Sequence, residues 1–370
     1  MPTAYLRNYT TRKSHMIKGT AIALTNSWLD DIHAKTTHGL IRGSNRFEML
    51  AIIDEKFAGQ DAGEVLDGKN RNLPVFATIP DALQHLPKTP EYCIVGVAVH
   101  GGKLPEAMRM EVTEAMQHGM SIVSGLHSYL SDDPEFIQTA REYNVSIYDI
   151  RKPTPISDLR FWSGDIYSVK APRLAVLGTD CALGKRTTCR FLLDMCRENG
   201  INAEMIYTGQ TGWMEGYKYG FIFDATVNDF IGGEIERVLV GCDREASPDI
   251  MLIEGQSSLR NPGGPCGSEF LVSGQAKGVV LQHAPGRRCF DGVEDFPQGV
   301  IPSLESELEL IRLYESRTLA VTLSEEGLTD AELSKIQEEL QAQFSIPVIR
   351  PLKEGVNRLL PVIRKFIRDA

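Results

Sequence analysis

Residues 173–188 constrain the fold more than any other stretch. Arg173-Leu174-Ala175-Val176-Leu177 reads as a buried strand and runs into Gly178-Thr179-Asp180-Cys181-Ala182-Leu183-Gly184-Lys185-Arg186-Thr187-Thr188. An amphipathic helix follows, because Thr188, Phe191, Leu192, Met195 and Cys196 recur at three- and four-residue spacing, and Gly200 is its expected stop. A strand, a glycine-bounded loop, a lysine and a helix together make a phosphate cradle. Backbone N–H groups of such a loop converge on phosphate oxygens, the helix N-terminus adds partial positive charge, and the lysine adds a point charge. Residues 178–187 are therefore the candidate ligand-binding set.

The spacing departs from the commonest pattern. Five residues separate Gly178 from Gly184, and Arg186 follows Lys185 where a hydroxyl normally holds Mg²⁺. Thr187 or Thr188 can substitute, or the loop binds phosphate without turning over a nucleotide. With its five-residue spacing the loop resembles that of dethiobiotin synthetase and its relatives. A plain turn with incidental glycines would not need a lysine where the phosphate would lie.

Composition narrows the function classes. The chain has 370 residues, enough for two domains, and a formal net charge of −10 with no basic stripe, which argues against a nucleic-acid partner. Seven cysteines lie scattered, no pair having metal-ligand spacing, and no signal peptide or long apolar span is evident. The expectation is a cytoplasmic protein without membrane partner or metal site, acting on a small molecule.

Three segments are expected: a first domain over 1–150, a linker over 151–172 and a second domain over 173–370. Residues 1–16 are polar with two tyrosines and several basic residues, and read either as an arm on a neighbouring subunit of a homo-oligomer or as a loose tail. Apolar runs follow at 18–25, 47–53, 74–79, 92–99, 121–125 and 146–150, with helix-like segments at 80–86, 104–118 and 133–143 between them. This alternation predicts an α/β fold, a Rossmann-like, doubly wound parallel sheet. There is no Gly-x-Gly-x-x-Gly after the first strand, so a standard dinucleotide site is not expected. The order of Pro74-Val75-Phe76-Ala77-Thr78-Ile79-Pro80, of Val99-His100-Gly101-Gly102 and of Ile122-Val123-Ser124-Gly125-Leu126 resembles the coenzyme-A-binding domain of the succinyl-CoA ligase type. His100 and His127 sit after strands, where ligands of such sheets bind.

The second domain is expected to be α/β of the P-loop NTPase-like kind. Residues 203–207 read as its second strand and 208–213 as the loop at that strand's carboxyl end, from which Gln210 and Thr211 can reach a phosphate or an acyl carbonyl. Asp229, near a helix start ahead of Gly232-Gly233, reads as an N-cap or a substrate contact. Asp249-Ile250-Met251-Leu252-Ile253-Glu254 is an apolar strand ending in an acid, the arrangement that puts a carboxylate beside a phosphate loop. Glu254 is accordingly the first candidate for a chemical role. Gln256, Ser257 and Ser258 open a Gly-, Pro- and Ser-rich loop that cannot be a core strand. A strand over 278–281 leads to His283, a candidate base, and to Arg287 and Arg288, which can fork onto carboxylates or phosphates. Helices and strands over 303–367 complete the sheet.

Gly178-Thr179-Asp180-Cys181-Ala182-Leu183-Gly184-Lys185, Thr208-Gly209-Gln210-Thr211-Gly212, Asp229-Phe230, Glu254-Gly255-Gln256-Ser257-Ser258-Leu259 and His283-Ala284-Pro285-Gly286-Arg287, in this order, resemble a two-domain P-loop family long catalogued as of unknown function. The resemblance implies an acetyl-CoA-dependent N-acetyltransferase acting on D-glutamate or, more broadly, D-amino acids. Asn261-Pro262-Gly263-Gly264-Pro265-Cys266 departs from the family's His-Pro-Ala-Tyr-Ser-Gly type of sequence, a stretch that bears on the acceptor. Under this reading Glu254, His283 and Asp229 are the catalytic candidates. The phosphate loop would hold the coenzyme A diphosphate, and Gln210, Thr211, Gln256, Ser257, Ser258, Arg287 and Arg288 would contact substrate. The alternative is an ATP- and Mg²⁺-dependent ligase or kinase of the dethiobiotin synthetase type; a sensor without turnover is a third reading.

Overall fold

The computed structural model describes residues 17–98 and 100–370, without the His100 side chain; the expectations for residues 1–16 lie outside these. In the N-terminal unit, strands β1 (Gly19–Leu24), β2 (Phe47–Ile53), β3 (Val75–Phe76), β4 (Tyr92–Val95), β5 (Ser121–Ser124) and β6 (Ile147–Asp149) form one sheet. Its order is β3-β2-β1-β4-β5-β6 and every pairing is parallel. Parallel strands need crossovers, and helices α1 (Lys35–Arg42), α2 (Ala62–Asp67), α3 (Ile79–His85), α4 (Glu106–Gln117) and α5 (Pro134–Glu142) supply them. Covered on both faces, the strands read as continuous apolar runs: Ile22, Leu24, Ile53, Cys93, Val95 and Ile122 are all buried. Local chemistry sets the helix starts. Asp61 caps α2 at Gly63 and Glu64, and Asp133 caps α5 ahead of Pro134.

The strand order reverses between β1 and β4, the usual ligand position of a doubly wound sheet. Here Asp54, just past β2, is buried and turned inward. Its Oδ2 accepts from Thr25 Oγ1 at 2.6 Å and from Leu29 N–H at 3.0 Å, so it braces the loop after β1.

In the C-terminal unit, β7 (Arg173–Gly178), β8 (Ala203–Tyr207), β9 (Tyr219–Gly220), β10 (Ile250–Glu254), β11 (Gly278–His283), β12 (Arg317–Leu323) and β13 (Val348–Ile349) make a second parallel sheet, ordered β13-β12-β11-β7-β10-β8-β9. Between these strands in the chain come α6 (Lys185–Glu198), α7 (Gln210–Glu215), which belongs to the other unit, α8 (Asn228–Ala246), α9 (Ser268–Val272), α10 (Leu304–Leu313), α11 (Asp330–Phe344), α12 (Pro351–Glu354) and α13 (Leu360–Asp369). The core lies under β7, β10 and β11, where Ala175, Leu177, Met251, Ile253, Val279 and Leu281 pack on Ile235, Leu239 and Phe270. α11 starts on a capping box, Thr329 and Glu332 each bonding the other's backbone N–H.

The segment before β7 is tied to α8. Glu236 Oε2 accepts from Ser163 N–H at 2.8 Å and Ser163 Oγ at 2.7 Å, and Oε1 accepts from Ile166 N–H at 3.1 Å. Gly233 has to be glycine because a Cβ there would lie 1.8 Å from the Arg160 carbonyl oxygen.

By their contacts, the described part of Lys13–Thr154 and the segment Gln210–Tyr217 form one unit, while Pro155–Gly209 and Lys218–Ala370 form the other. Residues 208–213, expected to be a loop, instead include the first four residues of α7, all of whose residues are buried. The helix is held inside the N-terminal unit. Arg46 donates to the Trp213 carbonyl at 2.7 Å and lies 4.0 Å over its ring, and Asn45 N–H donates to the Glu215 carbonyl at 2.8 Å. Two glycines suggested a turn, but packing on α1 outweighs their low helix propensity.

Candidate active site at the phosphate loop

Three adjacent strands deliver the candidate chemistry to one edge of the C-terminal sheet. In register, Glu254 on β10 pairs with Val176 on β7, and Gln282 on β11 pairs with Gly178. The loop after β7 therefore has Glu254 on one side and His283 on the other. Gly184, at φ +92°, turns this loop into α6, a conformation that L side chains rarely adopt.

The loop presents unmet donors. None of the five backbone N–H groups from Asp180 to Gly184 has an acceptor among the described residues. Cys181 and Ala182 are half-buried and Gly184 is exposed, so a run of five such donors at a helix N-terminus is open to a ligand and can take an anion. Lys185 is 7% exposed, and its ammonium donates to the carbonyls of Asp180 at 2.6 Å and Ser257 at 2.8 Å. The lysine thereby ties the cradle to the loop that follows Glu254. Arg186 and Thr187 are half-buried on the first turn of α6. Thr188, by contrast, is buried and donates to Gln282 Oε1 at 2.7 Å, an oxygen that also accepts from Thr322 at 2.6 Å.

Asp180 is fully buried and joins three loops. Its Oδ1 accepts from Asn261 Nδ2 at 2.7 Å, and its Oδ2 accepts from the Arg287 guanidinium and the Asp291 N–H, both at 2.8 Å. A buried carboxylate is tolerated only with such donors around it. Arg287 also donates to the Cys181 carbonyl at 2.9 Å and pairs with Glu326. Burial opposes its charge, but the bonds to Glu326 and Asp180 outweigh burial and raise its pKa. The Arg287 fork, expected to hold substrate, is thus engaged by the protein itself. Arg288 is exposed, with its carbonyl accepting from Ile301 N–H at 2.9 Å.

Glu254 is 5% exposed at the end of β10. Its Oε2 accepts from Thr208 N–H at 3.1 Å, while its carbonyl accepts from Thr208 Oγ1 at 2.8 Å. Gln256 Nε2 donates to Thr208 Oγ1 at 2.9 Å and closes the group. Ser257, at φ +38°, offers its Oγ to Cys181 Sγ at 3.3 Å, and Ser258 Oγ accepts from Asn261 N–H at 3.0 Å. Of the expected substrate residues, Gln256, Ser257 and Ser258 do lie beside the cradle, although each is engaged with the protein.

His283 is the last residue of β11, two residues beyond the expected strand end. Its Nδ1 lies 3.0 Å from Thr179 Oγ1, and burial lowers its pKa to about 4, so the ring is neutral at physiological pH. Gln210 packs on Gly125, where a Cβ would come within 2.6 Å of it, and Thr211 Oγ1 is 3.3 Å from Thr36 Oγ1, both inside the N-terminal unit. Asp229 is not an N-cap: Val227 holds that position, and Asp229 is exposed in the first turn of α8, where its charge complements the helix dipole. Burial raises the Cys266 thiol well above its ordinary value, which makes it a poor nucleophile at neutral pH.

Sequence reasoning gave no role to Gln282 or Asp291, and marked Asn261 only as the start of a stretch bearing on the acceptor. Gln282 carries a signal, being an amide inside an otherwise apolar strand. Asn261 and Asp291 lie in irregular loops whose contacts no local pattern announces.

Comparison with known proteins agrees with this architecture. Residues 160–360 match the P-loop domain, and residues 55–153 the Rossmann-like domain, of DUF1611, both described as domains of unknown function. A protein from a Pseudoalteromonas species named D-glutamate N-acetyltransferase is 30% identical over 274 residues, which span 72% of this chain and 79% of that protein. A protein of the same name from Tritonibacter scottomollicae is 27% identical over 278 residues, 73% of this chain and 80% of that protein. The crystal structure of a DUF1611 family protein from Anabaena variabilis superimposes with a TM-score of 0.82 at 26% identity, covering 95% of this chain and all of that one, 100%. Among the described residues no helix is long and apolar enough to cross a membrane. With a Rossmann-like and a P-loop unit, each built on a parallel sheet, the chain belongs to the DUF1611 family.

Proposed function

We propose that the chain transfers the acetyl group of acetyl-CoA to the amino group of a D-amino acid, with D-glutamate as the first candidate acceptor. The observation that carries this reading is the run of five unmet N–H groups from Asp180 to Gly184, backed by Lys185 at the start of α6. Such a cradle suits the diphosphate of coenzyme A as well as it suits a nucleotide, and two relatives named for D-glutamate N-acetylation favour the former.

In this account Glu254 takes a proton from the acceptor ammonium. The amine then attacks the thioester carbonyl and forms the C–N bond of a tetrahedral intermediate; this collapses with breakage of the C–S bond, and the departing thiolate takes up the second proton lost by the nitrogen, so that coenzyme A leaves as the thiol. Thr208 and Gln256 hold Glu254 and its loop in place. Arg186 stands where a magnesium-binding hydroxyl would otherwise follow the lysine, and the Thr188 hydroxyl is turned to Gln282, which suits a reaction carried by the protein's own groups.

The test is mass analysis of the amino-acid fraction after incubation with acetyl-CoA and each of a panel of D- and L-amino acids. An N-acetylated D-amino acid supports the proposal. No acetylated product with any acceptor, together with a melting temperature raised by Mg-ATP, would replace it with the ATP-dependent ligase or kinase.

A further inference from the structure

Thr179 and His283 face each other across two neighbouring strands, and their hydrogen bond can be assigned a direction. Thr179 is fully buried; its N–H donates to the Gln282 carbonyl at 2.9 Å, and its hydroxyl has one partner among the described residues, His283 Nδ1 at 3.0 Å. Were the ring proton on Nδ1, the Thr179 hydroxyl would accept it and keep its own proton buried without an acceptor. Folded proteins avoid that arrangement. The hydroxyl must therefore donate to Nδ1, which places the proton of the neutral ring on Nε2. Nε2 has no hydrogen-bond partner among the described residues. It is a donor without an acceptor beside a cradle of donors.

We propose that Thr179 fixes His283 as the Nε2–H tautomer, and that His283 donates a hydrogen bond to an oxygen of the ligand at the phosphate loop rather than serving as the base. This rests on the proposed function only in placing the ligand at that loop. The chemistry recognised is an oxygen bearing or gaining negative charge, either a phosphate oxygen or the acyl carbonyl as it becomes tetrahedral. Two further features agree. Burial leaves the ring a weak proton acceptor, and its partner Thr179 directly precedes the donor row from Asp180 to Gly184. Thr179 acts through His283 and is a positioning residue; His283 is the group that touches the ligand.

Imidazole ¹⁵N spectra of the full chain at neutral pH test the tautomer directly. The His283 signals, identified by their loss in His283→Gln, are expected to show the Nε2–H pattern in wild type and in Thr179→Ser, and to lose it in Thr179→Val. An Nδ1–H pattern in wild type would overturn the proposal. The donor role is tested by substitution. Glutamine keeps an N–H at the place of Nε2 and cannot take up a proton, so His283→Gln should stay within about threefold of wild type, while His283→Ala falls by about a hundredfold. If His283→Gln is as impaired as His283→Ala while both remain folded, the donor role is wrong. Calorimetric titration with coenzyme A separates the two oxygens. Weaker binding in His283→Ala marks a phosphate contact; unchanged binding with reduced turnover marks the acyl carbonyl. If no acceptor is acetylated at all, the spectra and the titration still decide this proposal independently of the transferase reading.

Discussion

Asp180 Oδ2 lies 2.8 Å from the Arg287 guanidinium, between residues 107 positions apart in the chain, and this pair joins the phosphate loop to the segment after β11. The carboxylate is fully buried, so its charge depends on the donors around it. Removing one partner of a buried pair leaves an uncompensated charge, costing roughly 3–5 kcal/mol, here moderated by Asn261 and the Asp291 N–H.

Arg287→Ala is therefore expected to lower the melting temperature clearly and to weaken coenzyme A binding through loss of loop shape. Arg287→Lys should not restore it, because one ammonium cannot reproduce the fork to Asp180, Cys181 and Glu326. Thermal unfolding monitored with steady-state kinetics gives the reading. A variant with unchanged stability and a raised KM for the amino-acid acceptor alone would instead put Arg287 on the substrate.

Lys185→Ala removes the ammonium that bridges the Asp180 and Ser257 carbonyls. Charged hydrogen bonds contribute about 1.5–3 kcal/mol each, so coenzyme A affinity should drop about tenfold to a hundredfold. Calorimetry measures this without any need for turnover. Unaltered affinity would place the coenzyme elsewhere.

Glu254→Gln separates structure from chemistry. The amide oxygen can still accept from Thr208 N–H, but the group no longer takes up a proton. kcat is expected to fall by about 10²–10⁴ with stability and coenzyme A binding preserved. Retained kcat would exclude Glu254 as the proton acceptor.

His283 sets a pH dependence of stability. Its folded pKa is about 4, against 6.5 for the ordinary side chain. Above pH 6.5 neither folded nor unfolded chain protonates it, and it contributes nothing. As the pH falls through 6.5 the unfolded state takes up a proton that the folded state refuses, so stability declines until pH about 4, by on the order of 3 kcal/mol. His283→Gln should flatten that part of the profile in urea unfolding between pH 7 and 4. An unchanged profile would show that the ring is protonated in the native state as readily as in the unfolded one.

The sequence carried most of the sheet and the cradle because both are local. Buried parallel strands are uninterrupted apolar runs, as in β2, β7 and β10, and the cradle is one continuous loop of glycines and a lysine. α7 was illegible since its helicity comes from tertiary packing, with Arg46 and Thr36 holding Trp213 and Thr211, while Gly209 before it and Gly212 within it point to a turn. α1 was missed because Lys35-Thr36-Thr37-His38 lacks an apolar period, its buried threonines satisfying themselves through bonds such as Thr37 to the Gly96 carbonyl. The inward commitment of Arg287 could not be read either. Its partners Asp180 and Glu326 are distant in the chain, and a lone Arg-Arg pair in sequence looks the same whether it faces a ligand or a buried acid.

Thiol release from acetyl-CoA in the presence of EDTA, with D-glutamate and L-glutamate compared as acceptors, is the decisive measurement for acetyl transfer by this chain. Release is expected to depend on the D-amino acid, to survive chelation and to fall sharply in Lys185→Ala. No release with either acceptor or with any other D-amino acid, or release that is abolished by EDTA, would contradict it.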